Sequence, residues 1–184
     1  MDLWWIGQGA RDNQMIEQVR TEVERIFDTP ARVWSGPERP ADSFDPARGQ
    51  HSSTRVLRWL VGMRPADADK ILAITDVDLF IPILTFVFGE AQLDGVAAVV
   101  STARLVRNPD GTPTDRRLLT ARLVKECVHE LGHTFGLVHC ADRRCVMARS
   151  PALPDIDVKR GDLCRECRLR LDDLRQLRGE EGHE

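Results

Sequence analysis

Apolar residues along the first hundred positions alternate between two spacings. Leu3 to Gly7 is a short apolar run, the pattern of a buried strand. From Asn13 to Phe27, Met15, Ile16, Val19, Val23, Ile26 and Phe27 recur at helical spacing, and Asp28-Thr29-Pro30 stops the helix. Arg32-Val33-Trp34 predicts a brief strand. Ser35 to Gln50 is rich in Pro, Gly and Asp and predicts a surface loop. Ser53 to Met63 forms a second helix, with Ser53 as its N-cap and Pro65 just past its end. Lys70 to Thr75, Phe86 to Glu90 and Val96 to Thr102 add three strands. This alternation predicts a mixed α/β fold, a twisted sheet with helices packed on it.

The second half reads differently. Thr112 as cap, Pro113 at the first position and Asp115 near the dipole predict the start of a long helix. An irregular cysteine-bearing stretch follows, then a last helix from about Cys164 to Arg178. Gly179 to Glu184 is expected to be a frayed tail.

On the long helix, Val124, Val128, Leu131 and Phe135 share a core stripe. His129 and His133 fall well over a right angle from its centre, so they face a cleft. His-Glu-x-x-His on a helix places two imidazoles on adjacent turns for one zinc ion, with Glu130 beside them to take a proton from water. Gly136 supplies a turn, and His139 arrives beyond it as a third nitrogen. Three nitrogens leave a fourth position for water, the arrangement of a catalytic site.

The chain has 184 residues, five cysteines and a formal net charge of −3. Nothing in that charge invites nucleic acid. The first residues lack a basic, apolar leader pattern, and no apolar run is long enough to span a bilayer. The expectation is a cytoplasmic protein away from membranes, where thiols stay reduced and cysteines serve metals before disulfides. Cys140, Cys145, Cys164 and Cys167 form two pairs that suit a closed, structural zinc. Cys127 stands apart as a small buried residue. His51 and His183 have no partner at ligand spacing and are expected in solvent.

The string from His129 through Gly136 to His139 resembles the long zinc-binding motif of the metzincins. Met147, two residues after Cys145, stands where that clan places its Met-turn, a methionine beneath the metal site. The motif running straight into Cys140, Cys145, Met147, Cys164 and Cys167 resembles that of the archaemetzincins. Thr75-Asp76-Val77-Asp78-Leu79-Phe80 and Phe86-Val87-Phe88-Gly89-Glu90-Ala91 are similar to that family too, so the likeness spans roughly residues 71 to 171. It implies a compact metzincin-like fold, here one domain. Residues 1–136 would form an upper sheet-and-helix lobe including the active-site helix. Residues 137–184 would form a smaller lower lobe with the Met-turn, the four-cysteine zinc and the last helix. It also implies peptide hydrolysis, with an extended substrate paired to the region Thr85 to Ala91 as a sheet edge.

The expected function is therefore a monomeric zinc metallopeptidase with two zinc ions, acting on peptides or unfolded protein. Endopeptidase and aminopeptidase action both stay open. The alternative is a non-catalytic two-zinc protein that braces a partner surface, against which Glu130 speaks. A zinc-ribbon nucleic-acid module would use only the cysteines.

Overall fold

The computed structural model describes residues 1–181. Its elements are β1 (Asp2–Trp5), α1 (Asn13–Phe27), β2 (Arg32–Ser35), β3 (Phe44–Asp45), β4 (Gln50–Ser52), α2 (Ser53–Met63) and β5 (Ile71–Thr75). They continue with β6 (Leu79–Phe80), β7 (Gly89–Ala91), β8 (Ala97–Ser101), α3 (Arg116–Thr134), α4 (Leu153–Val158) and α5 (Arg165–Glu181).

The main sheet has the order β2-β1-β5-β8-β7. Its first four strands run parallel and β7 is antiparallel to β8 at the edge. Parallel strands need both faces covered, and the side chains divide accordingly. Leu3, Trp5, Leu72, Ile74, Ala98 and Val100 face a core shared with α1 and α3. Trp4, Ile6, Ile71, Ala73, Ala97 and Val99 face a second core under α2. The two-residue period of a strand thus splits each strand between two cores.

Local chemistry sets the helix ends. Asp12 caps α1 by accepting from the Met15 N–H at 3.1 Å, and Asp28 ends it in the left-handed region at φ 41°. The cap of α2 is Ser52, whose hydroxyl accepts from the Arg55 N–H; Ser53 is fully buried and donates to the Phe80 carbonyl instead. α3 begins later than the Thr112-Pro113 pair predicts. Thr112 donates to Asp110 within a turn, and Asp115 caps the helix by accepting from the Leu118 N–H. Lys70, expected in a strand, precedes β5.

The predicted loop from 35 to 50 contains structure of its own. It carries a 3₁₀ turn (Ala41–Ser43) and, with β6, a small sheet of order β3-β4-β6. These strands are two or three residues long, too short to show a period. The six-residue α4 escaped the reading for the same reason. α5 continues through Glu181, past the point where a frayed tail was expected; His183 lies outside the described residues.

Candidate active site

α3 passes beneath the sheet edge and carries His129 and Glu130 on one turn and His133 on the next. His129 and Glu130 are each 6% exposed, buried more deeply than an open-cleft reading of their stripe suggests. Gly136 takes a φ of 92°, which an L side chain rarely adopts, and turns the chain back. The reversal is held by the Gly136 N–H on the His133 carbonyl and the Leu137 N–H on the Gly132 carbonyl. It returns His139 to the other two histidines. The three ring centroids lie 4.7, 4.9 and 5.3 Å apart.

Hydrogen bonds fix which nitrogen of each helical imidazole faces inward. Nδ1 of His129 bonds the Val146 carbonyl and Nδ1 of His133 the Leu137 carbonyl, each at 2.8 Å. A carbonyl only accepts, so Nδ1 carries the proton and Nε2 keeps its lone pair. The two Nε2 atoms lie 3.2 Å apart. Ligands about 2.0–2.1 Å from one tetrahedral ion stand about 3.4 Å from each other, so the spacing fits a shared zinc. Burial lowers the pKa of all three rings, His139 to about 4, which keeps them neutral as metal ligands must be.

Met147 is fully buried and packs against α3 where Gly132 leaves room. A Cβ at residue 132 would come within 2.9 Å of the Met147 Cε. The sequence holds a hint of this, since a glycine inside a helix costs about 1 kcal/mol relative to alanine and implies a close neighbour.

Cys140, Cys145, Cys164 and Cys167 converge with all ligand atoms within 4.8 Å of one another. The Cys140 and Cys164 sulfurs are 3.7 Å apart, near the roughly 3.8 Å expected for two thiolates on one tetrahedral zinc. The Cys164 N–H points at the Cys145 sulfur. Burial pushes the Cys145 thiol up to about 11 and Cys167 higher still. Burial also opposes ionisation of Cys164, but hydrogen bonds from the Cys167 N–H and neighbouring thiols outweigh it and hold that thiol below its ordinary value. A bound cation would draw the whole set toward thiolate. Cys127 lies apart from it, fully buried in the core.

Cys140 directly follows His139, and its N–H donates to the Met147 carbonyl. The two donor sets and the methionine are thus tied at one point of the chain. His51 departs from expectation: it sits in β4, half-buried, with Nδ1 2.9 Å from the Ser43 hydroxyl and its ring beside Phe44.

Glu130 faces a cleft of about 570 Å³. Leu84 to Gly89 form one wall, His129, Glu130 and His139 the floor, and Arg149 to Pro151 the other wall. Burial raises the Glu130 carboxyl well above the ordinary range; Glu126 and Glu90 raise it further, and Lys159 opposes them. Glu126 and Lys159, which carry no signal of their own in the sequence, pair beside this carboxylate, and Gly89, within the Thr85 to Ala91 stretch, lies against it. A larger groove of about 760 Å³ runs between α1 and α3 but shares no residue with the cleft.

A mixed sheet over a long helix, with three imidazoles converging at a cleft, is an arrangement that suits a metallopeptidase. The model of Peptidase family M54 matches residues 10–173, and the chain belongs to that family. It is similar to the archaemetzincin of Methanocaldococcus jannaschii, 40% identical over 134 residues, 73% of each chain. The crystal structure of the Methanopyrus kandleri archaemetzincin matches with a TM-score of 0.83 at 36% identity, covering 96% of each chain. A zinc-dependent peptidase from Methanocorpusculum labreanum matches at 0.81 and 32% identity, covering 92% of this chain and 98% of its own. Among the described residues no helix is long and apolar enough to cross a membrane.

Proposed function

We propose that the chain hydrolyses peptide bonds with His129, His133 and His139 holding a catalytic zinc and Glu130 as general base. The convergence of two inward Nε2 atoms with the His139 ring beside a buried carboxylate carries this reading. Zinc in such a set supplies Lewis acidity to water and to a substrate carbonyl. Glu130 takes the proton from the attacking water and passes it to the leaving amine.

Cys140, Cys145, Cys164 and Cys167 would hold a second, structural zinc, giving two per chain and bracing the part of the chain from residue 137 onward. Five free cysteines and these thiol ligands suit a reducing compartment, hence the cytoplasm. The substrate is a peptide or unfolded segment. β7 is an edge strand, and Leu84 to Gly89 line the cleft, which supports an extended peptide pairing along Thr85 to Ala91.

Profiling wild type and Glu130→Gln against a peptide library tests the proposal. Cleavage by the wild type should vanish in the variant, with both zinc ions and the fold retained. Unchanged turnover in the variant would defeat the assignment of Glu130, and no cleavage by the zinc-loaded wild type would favour a non-catalytic two-zinc protein.

A further inference from the structure

Glu126 stands one helical turn before Glu130, and both carboxylates line the cleft. Glu126 is 3% exposed, and like charges in a dry wall oppose each other's ionisation. The cation that answers them is Lys159. Its Nζ lies 3.5 Å from the Glu126 Oε1, and its side chain has no exposed surface. Lys125, the other lysine nearby, is turned away onto the Ile156 and Asp157 carbonyls.

Lys159 is held where it is by the rest of the same stripe. Arg122 forks onto Asp157 with two bonds of 2.8 Å, and Lys125 closes the end of α4. Arg122, Lys125 and Glu126 therefore clamp the end of α4 on the turns that lead into His129 and Glu130. The clamp delivers an ammonium to the carboxylate beneath the proposed base.

We infer that the Glu126–Lys159 pair is a positioning device: it neutralises the charge one turn below Glu130, so that Glu130 keeps its place against Gly89. This rests on the peptidase reading. A plain staple would behave differently, because removing one partner of a buried ion pair acts on the stability of the fold. If the pair only stapled α4 to α3, its removal would change melting temperature and leave turnover per folded molecule alone.

The test uses the zinc-loaded full chain and a peptide that the wild type cleaves, so the wild-type measurement establishes the peptidase reading independently. Lys159→Met should lower kcat by about 10- to 100-fold, the scale of a misplaced catalytic group, with KM within about twofold. Zinc content, and chelator competition at the histidine set, should match wild type. Glu126→Gln added to Lys159→Met removes both charges and should recover most of the loss, as should Lys159→Arg, which restores the cation. If Lys159→Met does not fold, Lys159→Gln takes its place with the same expectation. Wild-type kcat in the single variant would overturn the inference. So would a loss that persists in the folded, zinc-replete double variant, or loss of zinc from the histidine set.

Discussion

Gly89 lies directly against Glu130: a Cβ at residue 89 would come 2.7 Å from the Glu130 Cγ and 2.9 Å from its Oε1. The same Cβ would meet the Val99 carbonyl at 2.7 Å, so it could not move aside into the sheet. Strand β7 therefore approaches the helix closely because it has no side chain there.

Gly89→Ala should displace the Glu130 carboxylate by several tenths of an ångström. A drop of about tenfold to a hundredfold in kcat is expected, with two zinc ions still bound. Steady-state kinetics with metal analysis checks it. Wild-type kcat would mean that the carboxylate tolerates the shift.

Gly132→Ala should act on stability through Met147. The added methyl meets a fully buried thioether, and such overpacking costs about 1–3 kcal/mol. Denaturant titration would show it as a lower midpoint with an unchanged slope. Combining it with Met147→Ala, which vacates the space, should return part of the loss.

Cys164→Ser with Cys167→Ser should remove one zinc of two and loosen the chain from residue 137 onward, because structural zinc carries folding energy. Metal analysis and hydrogen exchange would report both. Two zinc ions in the variant would count against the four-cysteine site.

Lys70 sets a pH dependence away from the metal sites. Its ammonium donates to the Gly95 and Thr134 carbonyls, and burial lowers its pKa from 10.5 to about 8. Folded protein thus gives up this proton before unfolded protein does. Between pH 8 and 10.5 the unfolded chain holds more of it, so stability rises with pH across that window. Below pH 8 the burial cost of the charge is present in full. The melting temperature of wild type minus that of Lys70→Met should climb from pH 8 to 10.5; a flat difference would refute the assignment.

Much of the site was legible because its chemistry is local. His129, Glu130 and His133 sit within one helical segment, and Gly136 announces the turn that returns His139. α1 was bounded correctly from Asn13 to Phe27 because its apolar spacing and its stop at Pro30 agree. What escaped was relational. Glu126 is just another charge in sequence until α4 brings Lys159 to it, and Gly89 looks like an ordinary glycine until β7 meets α3. Thr112-Pro113 satisfied every local rule for a helix start, yet Asp110 and Asp115 competed successfully for the turn and the cap. His51 lacked a partner at ligand spacing, but the Ser43 hydroxyl reaches it across a small sheet whose strands are too short to read.

The adjacency of His139 and Cys140 gives metal loss a direction. On the proposed two-zinc reading, the open nitrogen-bound ion exchanges with solvent, and stripping it leaves the scaffold standing and ready to refill. Extracting the thiolate-bound ion instead unmoors the third imidazole through a single peptide link. Gentle chelation should be reversible, therefore, and harsh chelation should disarm both centres together.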